Sequence, residues 1–251
     1  MRRLSTEAVR IAILALGVSS IAWGVASIAL DPAEAAVTSI ATRILLGEEF
    51  SAEQMSAVRH LLDTTPSTRV SSSTLDAIAV GRLGLLESDL TSREPQHIDS
   101  DRADAQRAVR IALTKNPTNS FLWLAEYWLQ VAQRNDASAA LNLLQMSYWM
   151  GPNEAWIAIR RNPLALAAFA ALSQDAAEEV VSEFVSLIRS GLYLDAANAF
   201  AGPGWPIREK LLSRLVQVSE SDRRGLARAL EAKDLDGYTM LGFSENNERP
   251  F

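Results

Sequence analysis

The chain has no cysteine. That excludes disulfides, thiolate metal sites and cysteine nucleophiles together. Histidine is nearly as scarce: His60 and His97 are the two present, and no His-Glu-x-x-His pair occurs. The glycine-rich phosphate loop, the dinucleotide fingerprint and the Gly-x-Ser-x-Gly nucleophile elbow are all missing from the sequence. Val-Ile-Thr runs with period-two alternation are missing too, which argues against a sheet. Asp236-Gly237 is a turn pair, but it lies in a polar tail without strand-like flanks. These absences leave a helical chain with no legible catalytic, cofactor or metal motif. The expectation is a non-enzyme without cofactor.

Ample apolar material is present. Hydrophobic residues make up 48% of the 251, enough to build a core, and 22% are charged, which excludes wholesale disorder. One run stands apart. Ile11 to Leu30 reads IAILALGVSSIAWGVASIAL, twenty residues without a charge. As a helix it would cover roughly the 30 Å of a bilayer's hydrocarbon core. Arg2, Arg3 and Arg10 precede it, while Asp31 and Glu34 follow it. That charge order predicts an N-terminus in the cytoplasm and the rest of the chain across the membrane. Pro32 is a natural helix stop after the span. Ala33-Glu34-Ala35 offers the alternative of a cleaved export signal, although the apolar run exceeds a usual signal length. Residues 1–35 are therefore expected to form a cytoplasmic stub and transmembrane anchor, or a signal peptide. The location expected is the bacterial inner membrane, single-pass, with a periplasmic C-terminal domain.

The net charge is −6, and residues 1–30 carry three positive charges against one negative, so the remainder holds −8. An acidic domain is a poor partner for nucleic acid. The lipid contact is assigned to the apolar run alone.

After residue 35, apolar positions recur at three and four, and alanine is abundant. Helices are expected over Glu34–Leu46, Ser51–Asp63, Ser73–Glu87, Asp101–Lys115, Ser120–Gln133, Asp136–Met150, Glu154–Arg160, Leu164–Leu172, Asp175–Ser190, Tyr193–Phe200, Pro206–Val218 and Asp222–Ala232. Ser51 with Gln54 forms a capping-box pattern. Asp175 is expected to cap its helix. The division expected is a helical domain over 36–235 and a polar, frayed tail over 236–251.

A period runs through the middle of the chain. Ala105, Val109, Ala112 and Pro117 are echoed by Ala140, Leu144, Ser147 and Pro152, thirty-five residues later. Small residues at the first and third places allow close helix approach, and the proline closes each unit. Pro66 follows an earlier helix in the same manner. The pattern resembles the tetratricopeptide repeat, built from antiparallel helix pairs of about 34 residues. The likeness is degenerate. Its aromatic signature survives only as Trp123-Leu124-Ala125 and Tyr127-Trp128, at shifted spacing. The resemblance implies an all-α protein, an irregular α-hairpin array behind the membrane helix, whose partners are proteins or peptide segments.

Aromatic residues are the leading binding candidates. Trp123 and Tyr127 form one helical stripe, Tyr148 ends the next helix and Trp156 opens another. Arg160 and Arg161 follow closely and suit an anionic ligand terminus. These six are the candidate partner-binding residues. Glu178, Glu179 and Glu183 read as a solvated helix face, with Glu183 as the acid of an alternative carbohydrate-active enzyme. The function expected is a membrane-anchored scaffold that binds a protein partner in an envelope assembly, such as secretion or polysaccharide export. A further alternative is an accessory subunit held through its span, where Ser20, Gly24 and Ser27 form a small-residue side.

Overall fold

A computed structural model describes residues 16–20, 32–65, 70–92 and 97–243. Among these residues the regular structure is helical, and no strand occurs. The all-α expectation holds. No described helix is long and apolar enough to cross a membrane. The anchor expected over Ile11–Leu30 lies largely outside the described residues, as does Pro66; residues 16–20 are helical and exposed. The chain divides into two compact units, Met1–Ala108 and Val109–Phe251.

The first unit is built around α3 (Ser72–Thr91), which packs on α1 (Pro32–Leu45) and α2 (Ala52–Thr64). Helix α3 buries residues on every side, among them Leu75, Ala79, Val80, Leu85 and Leu86. Such all-round burial is the mark of a central helix. Two glycines bring its neighbours close. A Cβ at Gly84 would sit 2.8 Å from Ile44, and one at Gly81 would sit 2.9 Å from Leu62. Ser51 and Gln54 form both bonds of the capping box, as their spacing predicts. Asp101, on α4 (Ile98–Lys115), is buried and takes both guanidinium arms of Arg59. The bidentate pairing answers the cost of removing that carboxylate from water.

The second unit contains the end of α4, then α5 (Ser120–Arg134), α6 (Leu141–Met150), α7 (Ala155–Ala167) and α8 (Gln174–Arg189). It continues with α9 (Tyr193–Ala201), α10 (Arg208–Arg214), α11 (Glu220–Glu231) and α12 (Gly237–Met240). Leu144, Ile157, Val180, Phe184, Ile188, Phe200, Leu226 and Leu230 lie in one continuous core. The rings of Phe184 and Phe200 stack with centroids 6.3 Å apart. Ala105, Val109, Ala112, Ala140, Leu144 and Ser147, the helical positions of the period, are all buried, while Pro117 and Pro152 are exposed. Burial of small residues is what any close helix contact requires, so it does not by itself specify a repeat.

Three local expectations are corrected. The segment expected as Glu154–Arg160 and the first part of that expected as Leu164–Leu172 form one helix, α7, which runs through Pro163 and ends at Ala167; Phe169–Ala171 is a separate 3-10 turn. Proline at that point removes one backbone bond. Arg161 and Asn162, just before it, are anchored by side-chain bonds to α8. The cap of α8 is Ser173, whose hydroxyl accepts from the Ala176 amide; Asp175 lies in the first turn instead. The tail does not fray immediately. Asp236 caps α12, Leu241 is buried, and Tyr238 meets Phe243 edge-on at 6.0 Å.

Gly237 explains how that tail seats. A Cβ there would lie 2.4 Å from the Ala227 carbonyl oxygen and 2.9 Å from its Cα. Both obstacles are backbone, so neither can rotate away. Gly237→Ala is expected to cost about 1–3 kcal/mol, the usual range for overpacking. Limited proteolysis should then cut after residue 231 before the rest of the unit is attacked.

Candidate functional site

The site begins with a charge in the core. Arg161 has no exposed surface, and Glu183 is 7% exposed. Each sits on the apolar face of its helix. Arg161 is four residues from the buried Ile157 and Ala165; Glu183 lies between Val180 and Leu187. The two meet where α7 packs on α8. Nε and Nη2 of Arg161 donate to Glu183 Oε1 at 2.9 and 2.6 Å. Nη2 also donates to the Gly151 carbonyl at 3.1 Å, and Nη1 donates to the Ser147 carbonyl at 2.7 Å. Those carbonyls lie at the end of α6, where the helix dipole is negative; that of Ser147 also accepts from the Gly151 amide at 3.2 Å. The guanidinium therefore caps α6 while pairing with α8. Its plane also faces the Tyr148 ring, with Cζ 4.1 Å from the centroid.

The other side of Glu183 is engaged as well. Oε2 accepts from the Tyr148 hydroxyl at 2.7 Å and from Asn162 Nδ2 at 3.4 Å. Burial pushes the Glu183 carboxyl above the usual carboxylate range, against the opposing pull of Arg161, Tyr148 and Asn162. Burial beside that carboxylate also holds the Tyr148 hydroxyl well above its ordinary value.

Glu183 and Tyr148 line a cavity of about 450 Å³. Pro152 and Asn153, in the turn after α6, and Ala158 of α7 form one part of its lining. Glu179, Ser182, Ser186 and Leu187 of α8 form another. Glu179 is exposed and accepts from Gln145 Nε2 at 3.0 Å.

The six predicted binding residues divide accordingly. Tyr148 lines the cavity, and Arg161 anchors it from behind with no surface for a partner. Reading Arg161 as a ligand for an anionic terminus is thus corrected: its carboxylate is Glu183, inside the same chain. Tyr127 is 1% exposed and donates its hydroxyl to the Ala137 carbonyl, so it too presents no surface. Trp123 is half-buried and donates Nε1 to the Pro117 carbonyl at 2.7 Å. Trp156 is 41% exposed and rests on Phe121, with ring centroids 5.3 Å apart. Arg160 donates to the Trp156 carbonyl one turn back.

The three glutamates are not one solvated face. Glu178 pairs with Lys210 and Arg214, Glu179 faces the cavity, and Glu183 is buried. Sequence reading missed Asn162, which donates to the Val180 carbonyl at 2.9 Å, and Ser147, which bonds Arg161. The signal for both was the same: a polar residue in register with an apolar stripe. His60 and His97 are exposed. Among the described residues, no group of three or more potential ligands is placed to hold a metal ion.

No protein-family model, curated protein or solved structure shows significant similarity to this chain.

Proposed function

We propose that this chain is a membrane-tethered helical interaction protein of the bacterial cell envelope, and that the cavity beside α8 receives a segment of a protein partner. One observation carries the binding part. The cavity rests on groups already committed to one another: both oxygens of Glu183 and the Tyr148 hydroxyl proton are in use. Such a floor offers fixed shape and charge, and neither Glu183 nor Tyr148 is free to exchange a proton with a substrate. This weighs against the carbohydrate-active alternative, which needs Glu183 to exchange a proton. The tether rests on the sequence: the uncharged run Ile11–Leu30 with arginines before it and acids after it. The degenerate tetratricopeptide-like period supports a scaffold role, since such arrays act by surface shape. Secretion or polysaccharide export is the setting we favour.

A photo-crosslinking residue at Ser186, in native membranes, tests the reading. Ser186 is exposed and lines the cavity. A discrete protein adduct is expected there, lost when the cavity is filled from the opposite wall by Ala158→Phe in a protein that still melts cooperatively. The chain should also stay with membranes through carbonate extraction. No adduct at Ser186, or free release by carbonate, overturns the corresponding half of the proposal.

A further inference from the structure

Resting on that binding reading, we infer that the cavity's occupant is a basic side chain, lysine or arginine, of the partner segment. The Tyr148 hydroxyl gives its proton to Glu183, so only lone pairs remain for a ligand. The Ser186 hydroxyl gives its proton to the Ser182 carbonyl at 2.9 Å, with the same result. Glu179 accepts from Gln145 through Oε2, which leaves Oε1 to accept. No lysine, arginine or histidine is among the described lining residues. Arg161 neutralises Glu183 from behind, but among the described residues no ion pair neutralises Glu179. The cavity thus holds one uncompensated carboxylate and no cation, beside Asn153, Ser182 and Ser190, whose amide and hydroxyl groups can both donate and accept.

An ammonium or guanidinium is cationic and has donors only, and so complements the Glu179 carboxylate and the committed Tyr148 and Ser186 oxygens. The remaining lining fits the rest of such a side chain. Pro152, Ala158 and Leu187 are apolar and suit a methylene stem, while the charged head reaches Glu179 and the serines. An acidic side chain would instead set like charge against Glu179.

The test is selection of phage-displayed random peptides on the full chain in nanodiscs, with counter-selection on Ser186→Trp, which fills the cavity from an exposed position. Cavity-dependent peptides should share one lysine or arginine. Replacing that residue by norleucine should weaken binding roughly three- to fivefold, the scale of a solvent-accessible ion pair. Glu179→Gln should bring the lysine-to-norleucine ratio close to one, and added salt should shrink the same ratio in the unaltered protein. Cavity-dependent peptides without a common basic position, or a ratio unchanged by Glu179→Gln, would overturn this inference and leave the binding reading standing. Failure to recover any cavity-dependent peptide would overturn both. Melting curves of the two variants confirm that each is folded.

Discussion

Glu183→Ala is expected to lower stability by about 3–5 kcal/mol, the cost of breaking a buried ion pair from one side. A domain's whole stability is about 5–15 kcal/mol, so the second unit should be left marginal. The reason is that Arg161 cannot escape. It has no exposed surface, so removing Glu183 leaves the guanidinium in the core without its carboxylate partner. Arg161→Met removes the other partner and behaves differently, because a carboxyl can take up a proton. Burial already pushes the Glu183 carboxyl upward, and losing the guanidinium removes the first of the forces that hold it down. A carboxyl raised in the folded state binds more protons there than in the unfolded chain. Its contribution is therefore complete below about pH 4.3, the unfolded value, and is lost as pH rises through the folded one. The deficit of Arg161→Met relative to the parent should thus be smaller near pH 5 than near pH 8, whereas that of Glu183→Ala should move the other way, because the parent's own raised carboxyl loses its contribution as pH rises. Urea titrations of the full chain at the two pH values check this. The pair Arg161→Met with Glu183→Leu should cost about 2 kcal/mol less than the two single changes added together. Additive costs, or a pH-independent deficit in Arg161→Met, would show that the pair does not hold the α6–α7–α8 junction.

The same pair marks where sequence reading stops. One cap was legible because it is local: the Ser51–Gln54 box forms as its spacing requires, whereas the cap of α8 is Ser173 and not Asp175. The amphipathic stripe of α8 likewise fixes its core face. Arg161 and Glu183 are a different problem, because twenty-two residues separate them. Arg160 and Arg161 look alike as a dipeptide, yet one is fully buried and the other is half-buried. The helical period does separate them, since only Arg161 is in register with Ile157 and Ala165. The prior that charged side chains seek water overrode that periodicity. The break expected between Arg160 and Leu164 does not form: α7 continues through Pro163, with the residues just before the proline fixed from outside. The donor and acceptor balance of the cavity was beyond reach, because it depends on which hydroxyl proton points where in three dimensions.

The aromatic stripe supplies the second large effect. Trp123 and Tyr127 stand one turn apart on α5 and look equivalent in sequence. Their surroundings are not. Tyr127 lies within the core of the second unit, and burial holds its hydroxyl above the ordinary tyrosine value. Tyr127→Ala should cost about 3–5 kcal/mol, as for other large aromatics removed from a core. At about 2–4 °C per kcal/mol for a unit of this size, the melting temperature should fall by roughly 6–20 °C. Tyr127→Phe keeps the ring but leaves the Ala137 carbonyl without its 3.1 Å donor, at a cost of about 1 kcal/mol. Trp123→Ala should cost less than Tyr127→Ala, because its ring is half in water and its one described hydrogen bond returns to the Pro117 carbonyl before its own helix. Differential scanning calorimetry of the three variants distinguishes a packing stripe from a binding stripe. If Tyr127→Ala melted with the parent while abolishing the Ser186 adduct, the ring would be meeting a partner and not the interior of α5.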